Sequence, residues 1–244
     1  MSAKTKDKDV KLNRPKCYIV GGGFDYIRLM FQLGCDGATS VSDADFVLFT
    51  GGEDVSPDLY NEVPMAKTNY NRARDDFEGV IYNAALEREL PMVGICRGGQ
   101  FLNVKNGGKM WQHVTCHAGE HLARIEVPPF VKNRRRTIMV TSTHHQMMIP
   151  TEDAIILATA NVALEKDSPG LTKIGKGGDA DPDIEVVLYQ DTSCLCFQPH
   201  PEFKNCPADC VDFFEECLDN WIYPKIPDKM TKAIHAQASD VRVC

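Results

Sequence analysis

Three side chains have the types that nucleophilic acyl transfer needs: Cys96 in PMVGICRGGQ, and His200 and Glu202 in FQPHPEF. A thiolate attacks a carbonyl carbon, an imidazole moves the protons, and a carboxylate fixes the imidazole's tautomer. Cys96 stands between Gly94 and Gly98, after an apolar run and before a helical pattern, which is the arrangement of a nucleophile elbow. Such a turn brings backbone segments too close for most Cβ atoms. It also aims unpaired helix N–H groups and the positive end of the macrodipole at the sulfur, favouring the nucleophilic form. A packing cysteine needs none of this. Pro199 and Pro201 restrict the backbone so that His200 and Glu202 project from one extended segment. An HP dipeptide is often just a surface turn, but here it accompanies a GxCxG stretch about a hundred residues away, a separation that only folding closes. The pair therefore points to a Cys/His/Glu triad. Donors for a developing oxyanion are expected from the Gly52 N–H in TGGEDVSPDLY and from the N–H of Arg97.

These residues need a frame. CYIVGGG, ADFVLFTGG and MVGIC read as buried strands, the continuous apolar runs marking strands covered on both faces. Helical patterns follow each: FDYIRLMFQLG with Tyr26, Ile27, Met30 and Leu33 on one face; RDDFEGVIYNAALERELP with Phe77, Ile81, Ala84 and Ala85; and RGGQFLNVKNGG. Alternation of this kind implies right-handed crossovers and a mainly parallel sheet. In the second half ARIEVPP, RRTIMVTS, AIILATA, ALEKD, IEVVLYQD and SCLCFQPH are strand-like and separated by turns, predicting antiparallel additions. DCVDFFEECLDNWIY is the last helix, packing Phe213, Phe214, Leu218 and Trp221 inward, and GKGGDADPD (175–183) reads as a hairpin loop. The expected organisation is a leader over 1–15, one domain over 16–224 and an extension over 225–244.

The 244 residues carry a formal net charge of −7, which disfavours nucleic acid and anionic membranes as partners. Lys132, Arg134, Arg135 and Arg136 are an exception, read as a solvated hairpin tip because no aromatic residues interleave them. Ten cysteines diluted over this length, behind a polar N-terminus without an apolar h-region, fit reduced thiols and a cytoplasmic location. No apolar run reaches membrane-spanning length. Cys194, Cys196, Cys206, Cys210 and Cys217 read as packing residues. His113, Cys116, His117 and His121 in WQHVTCHAGEH match no standard zinc module, so neither metal nor cofactor is expected.

Taken together, GICRGGQFLNVKNGG with Gln112, TGGEDVSPDLY, the helix from Arg74 to Pro91, TSTHHQ (141–146) and FQPHPEF resemble the class I glutamine amidotransferase superfamily. Within it they are most similar to the gamma-glutamyl-gamma-aminobutyrate hydrolases of the peptidase C26 type. The resemblance runs from about Cys17 to Trp221. It implies a flavodoxin-like three-layer α/β sandwich and hydrolysis of a gamma-glutamyl amide through a thioester on Cys96, with His200 as acid/base and Glu202 orienting it. It implies substrate contacts from Gln100, Ser142, Thr143, His145 and Gln146. The implied partners are a small gamma-glutamyl substrate and, in the alternative role of ammonia donor, a synthetase or ligase; a homodimer also fits the resemblance. Three departures stand out: a short stretch before TGGEDVSP, Gly99 where relatives carry a bulkier residue, which would open the pocket, and Pro199 where a large side chain is usual.

Overall fold

The computed structural model describes residues 14–126, 137–175, 178 and 181–226. The expected leader and C-terminal extension, and the basic tip at 132–136, lie almost wholly outside the described residues. So does part of the 175–183 loop.

The chain opens with β1 (Lys16–Val20), α1 (Phe24–Gln32) and a two-residue β2 (Asp36–Gly37). It continues through β3 (Phe46–Phe49), α2 (Arg72–Glu87), β4 (Met92–Ile95) and α3 (Arg97–Lys105). The second half is mostly strand: β5 (Lys109–Trp111), β6 (His113–Val114), β7 (Gly119–Ile125), β8 (Thr137–Ser142), β9 (Met147–Ile149) and β10 (Ile155–Ala160). β11 (Glu165–Ser168), β12 (Leu171–Ile174), β13 (Asp183–Tyr189), β14 (Cys194–Phe197) and α4 (Ala208–Cys217) complete it. Among the described residues one nine-stranded sheet dominates, in the order β2-β1-β3-β4-β14-β13-β10-β7-β8. β2 through β14 pair parallel, and from β14 to β8 every pairing is antiparallel. The protein is thus an α/β fold whose sheet changes character in mid-width, as the two halves of the sequence imply.

β3, β4 and β14 are buried at every position, so they sit in the middle of three layers. Leu29 and Met30 of α1 pack with Phe213 and Phe214 of α4 on one face, and Tyr82, Ala85, Phe101 and Leu102 of α2 and α3 on the other. Cys194 and Cys196 are both buried, because a central strand has no exposed side. Cys210 and Cys217 are packed as well, while Cys206 is half-buried.

Two helical faces differ from the hydrophobic pattern. Ile27 of α1 is exposed, and the buried pair is Leu29 and Met30. In α2 Phe77 is exposed, while Asp75 and Glu78 are buried with Tyr82 and Ala85. The reason lies beneath that face: the Arg97 guanidinium, 2% exposed, pairs with both carboxylates. A buried cation needs charged partners more than apolar ones.

Candidate active site

Cys96 connects β4 to α3 at φ 52°, ψ −114°, a conformation that side chains with a Cβ adopt at a cost of about 1–3 kcal/mol. The surroundings enforce it. The Cys96 N–H donates to the Phe197 carbonyl of β14 at 2.8 Å, and the Cys96 carbonyl accepts from Gln100 N–H at 3.0 Å. A Cβ on Gly94 would overlap the Gly98 carbonyl, and one on Gly98 would overlap the backbone of Phe49. The elbow read from the glycine spacing is therefore present, with strand and helix in direct backbone contact. Gly99 faces Phe197 N and Gly94 O, under the helix, so its small size serves packing on β14 rather than the width of the cleft.

β14 runs beside β4 and delivers His200 three residues beyond its end. His200 Nδ1 lies 2.7 Å from Glu202 Oε1, Nε2 lies 2.9 Å from Thr143 Oγ1, and the ring stacks on Phe203 with centroids 4.3 Å apart. Burial disfavours the imidazolium, but the neighbouring Cys96 thiol and Glu202 carboxylate outweigh it and raise the His200 pKa to about 10. The three expected side chains are thus brought together: Cys96 and His200 border one cleft and both adjoin Gly51, and Glu202 meets the far nitrogen of the imidazole. Tyr26 supports this arrangement from α1: its hydroxyl accepts from Gly51 N–H at 3.0 Å, and burial together with the nearby Glu202 charge pushes its pKa up.

The Thr50 to Gly52 turn lies against the thiol. A Cβ on Gly51 would stand 3.7 Å from Cys96 Cβ and 3.5 Å from His200 Cε1. Arg74 of α2 holds the turn from behind, donating to Thr50 O at 3.0 Å and Gly51 O at 2.9 Å. In a trans peptide the C=O and N–H point opposite ways, so a Gly51 carbonyl turned to Arg74 directs the Gly52 N–H away from it. Gly52 itself has φ 147° and no room for a Cβ, which would overlap Arg74 Nη1.

Gly52, Cys96, Gln100, Thr143, His145 and Gln146 border a cleft of about 380 Å³. Gln100 Nε2 donates to Gln146 O at 3.2 Å and Gln198 Oε1 at 3.1 Å, which spends both amide hydrogens and leaves only Oε1 to meet a ligand. Ser142 is not part of this wall. As the last residue of β8 it points the other way, its Oγ 3.4 Å from His117 Nδ1. Asp54 and Glu53 also border the cleft and were not singled out from the sequence, although both stand in TGGEDVSPDLY. Asp54 accepts from Asn69 N–H at 2.8 Å and lies 3.2 Å from His145 Nε2, and this contact raises the His145 pKa.

The histidine-rich stretch divides. His113 lies tilted against His145 with ring centroids 5.7 Å apart, Cys116 is exposed, and His117 and His121 gather on Glu185.

A sheet that turns from parallel to antiparallel beside a strained cysteine elbow defines a fold of the glutamine amidotransferase class. A glutamine amidotransferase from Thermotoga maritima has this fold: its structure superposes with a TM-score of 0.55 at 12% identity, covering 93% of this chain and 92% of that one. The chain belongs to the Peptidase C26 family, whose model matches residues 30–202. It is similar to the glutamine amidotransferase-like protein YvdE of Lactococcus lactis subsp. lactis, 34% identical over 65% of this chain and 66% of that protein. Protein NtpR of Enterococcus hirae is 31% identical over 68% of this chain and 70% of its own. The match thus spans about two thirds of these relatives' length. Among the described residues no helix is long and apolar enough to cross a membrane.

Proposed function

We propose that the protein hydrolyses gamma-glutamyl amides, glutamine or a gamma-glutamyl amine, through a thioester on Cys96. The observation that carries this reading is the gathering of Cys96, His200 and Glu202 beside the cleft, with the His200–Glu202 contact at 2.7 Å. The Cys96 sulfur adds to the amide carbonyl, and the oxyanion takes hydrogen bonds from the Gly52 and Arg97 N–H groups. His200 gives its proton to the departing amine as the C–N bond breaks. Water, deprotonated by His200, then adds to the thioester, and the C–S bond breaks to release glutamate and the thiol. Glu202 keeps Nδ1 protonated throughout.

Gln100 Oε1, Asp54 and Glu53 suit the substrate's alpha-ammonium, and the hydrogen-bonding groups of Thr143, His145 and Gln146 suit the rest of its glutamyl part. Names of relatives that contain glutamine amidotransferase favour a second reading with the same chemistry, in which the ammonia passes to a synthetase or ligase partner. The test is mass spectrometry of protein incubated with glutamine and with gamma-glutamyl amines, alongside glutamate release. Acylation confined to Cys96 and loss of release in Cys96→Ala are expected; undiminished release by that variant excludes the mechanism. Turnover that rises only with an added synthetase selects the second reading.

A further inference from the structure

Behind the cleft, on the side of β8 that Ser142 faces, lies a buried cluster that the proposed chemistry does not use. His117 precedes β7, His121 lies on β7 and Glu185 on β13, two strands that flank β10 in the sheet. One donor atom from each of the three residues lies within 4.8 Å of the others. Glu185 Oε1 is 3.2 Å from His117 Nε2 and 2.9 Å from His121 Nε2. A tetrahedral zinc site with bonds of about 2.0–2.1 Å sets adjacent donors about 3.3–3.4 Å apart, close to these separations.

Three atoms in the cluster lack a hydrogen-bond partner. His117 Nε2, though 3.2 Å from the carboxylate, does not meet it with hydrogen-bond geometry, and Glu185 Oε2 has no donor. His144, whose ring centroid is 4.7 Å from that of His117, hydrogen-bonds through Nδ1 to Gln146 O at 2.7 Å, leaving Nε2 a buried lone pair with nothing to bind. Buried polar atoms are rarely left in this state, and several together call for a shared partner. The side chains of His117 and Glu185 are fully buried. His117 Nδ1 is directed to Ser142 Oγ, the outer contact that fixes the tautomer of a metal-bound histidine.

We propose that His117, His121 and Glu185 bind a divalent cation of the zinc class, with water in the remaining position. Two imidazoles and a carboxylate are a donor set such an ion takes. The ion would tie β7 to β13 and, through the His117–Ser142 contact, brace the segment that carries Thr143, His145 and Gln146 to the cleft. Its role is positional and no step of the hydrolysis passes through it.

The test uses the full chain, stripped with a chelator and titrated with Zn²⁺ by calorimetry, then loaded with Co²⁺ for its visible spectrum. One Zn²⁺ per chain is expected, with a higher melting temperature and a cobalt spectrum of tetrahedral nitrogen and oxygen ligation. His121→Ala and Glu185→Gln should each weaken Zn²⁺ binding more than about a hundredfold, beyond the 10–100-fold cost of losing an outer-shell partner. Absence of Zn²⁺ binding to the wild type, equal binding by both variants, or sulfur-to-cobalt charge transfer from the cysteines would each overturn the assignment. Should His121→Ala fail to fold, the near-isosteric Glu185→Gln and the wild-type cobalt spectrum decide.

Discussion

Arg97, the residue after the nucleophile, turns its guanidinium away from the cleft and pairs with Asp75 of α2, both side chains fully or almost fully buried. Glu78 completes the contact, and Asp75 also accepts from Ser56 N–H at 3.0 Å. The elbow is thereby fastened to the neighbouring helix by charge. Removing Arg97 strands Asp75 without a cation in a dry interior. Arg97→Ala should therefore lower stability by about 3–5 kcal/mol, read from urea unfolding, because buried Asp75 loses its cation while Glu78 keeps Arg74 at 2.8 Å. A loss under 1 kcal/mol would mean that Asp75 finds water or another cation.

The strained backbone of Cys96 gives a second expectation. Glycine adopts positive φ freely, whereas alanine keeps the Cβ that makes it costly. Cys96→Gly and Cys96→Ala should both be inactive, yet the glycine variant should be more stable by about 1–2 kcal/mol. Equal stabilities in urea titrations of the two proteins would show that the turn relaxes without the sulfur.

The raised His200 pKa sets a pH dependence. The folded value, about 10, lies above the ordinary 6.5, so folding holds a proton on this ring that the unfolded chain releases. The resulting stability is fully present below pH 6.5 and is lost as pH rises through about 10. Unfolding free energy measured across this window should fall with pH in the wild type and fall less steeply in His200→Gln. Parallel curves would remove His200 as the source.

Gly52 tests the oxyanion donor. Its Cβ would displace Arg74, which holds the Gly51 carbonyl and so aims the next N–H. Gly52→Ala should cut kcat by about 10²–10³-fold with a much smaller change in KM, as loss of one such donor does. Steady-state kinetics that show the reverse split would make Gly52 a substrate-binding residue instead.

The elbow was legible because its signal is local: Gly94, Cys96 and Gly98 are spaced for a single tight turn, and the turn is there. The meeting of His200 with Glu202 beside the Cys96 elbow was legible because two short motifs each carried part of that arrangement. The buried face of α2 was not, since the pattern of Phe77, Ile81 and Ala84 is apolar and nothing nearby announces an arginine arriving from the next helix. Ser142 and Thr143 are adjacent, so a strand's alternation sends one to the cleft and the other behind it, a distinction that needs the end of β8. Glu185 lies 64 residues from His121 on a strand buried at every position, and the histidine stretch read alone gives no hint of it.

The ladder between β4 and β14 has a consequence for how this protein can change. Because sulfur and imidazole leave adjacent strands whose rungs reach as far as Ile95 and Phe197, their spacing is an inheritance of the sheet and not of the chain that wanders between them. Hairpins grafted onto that excursion, or pared from it, could reshape what enters the cleft while the reacting atoms stay in step.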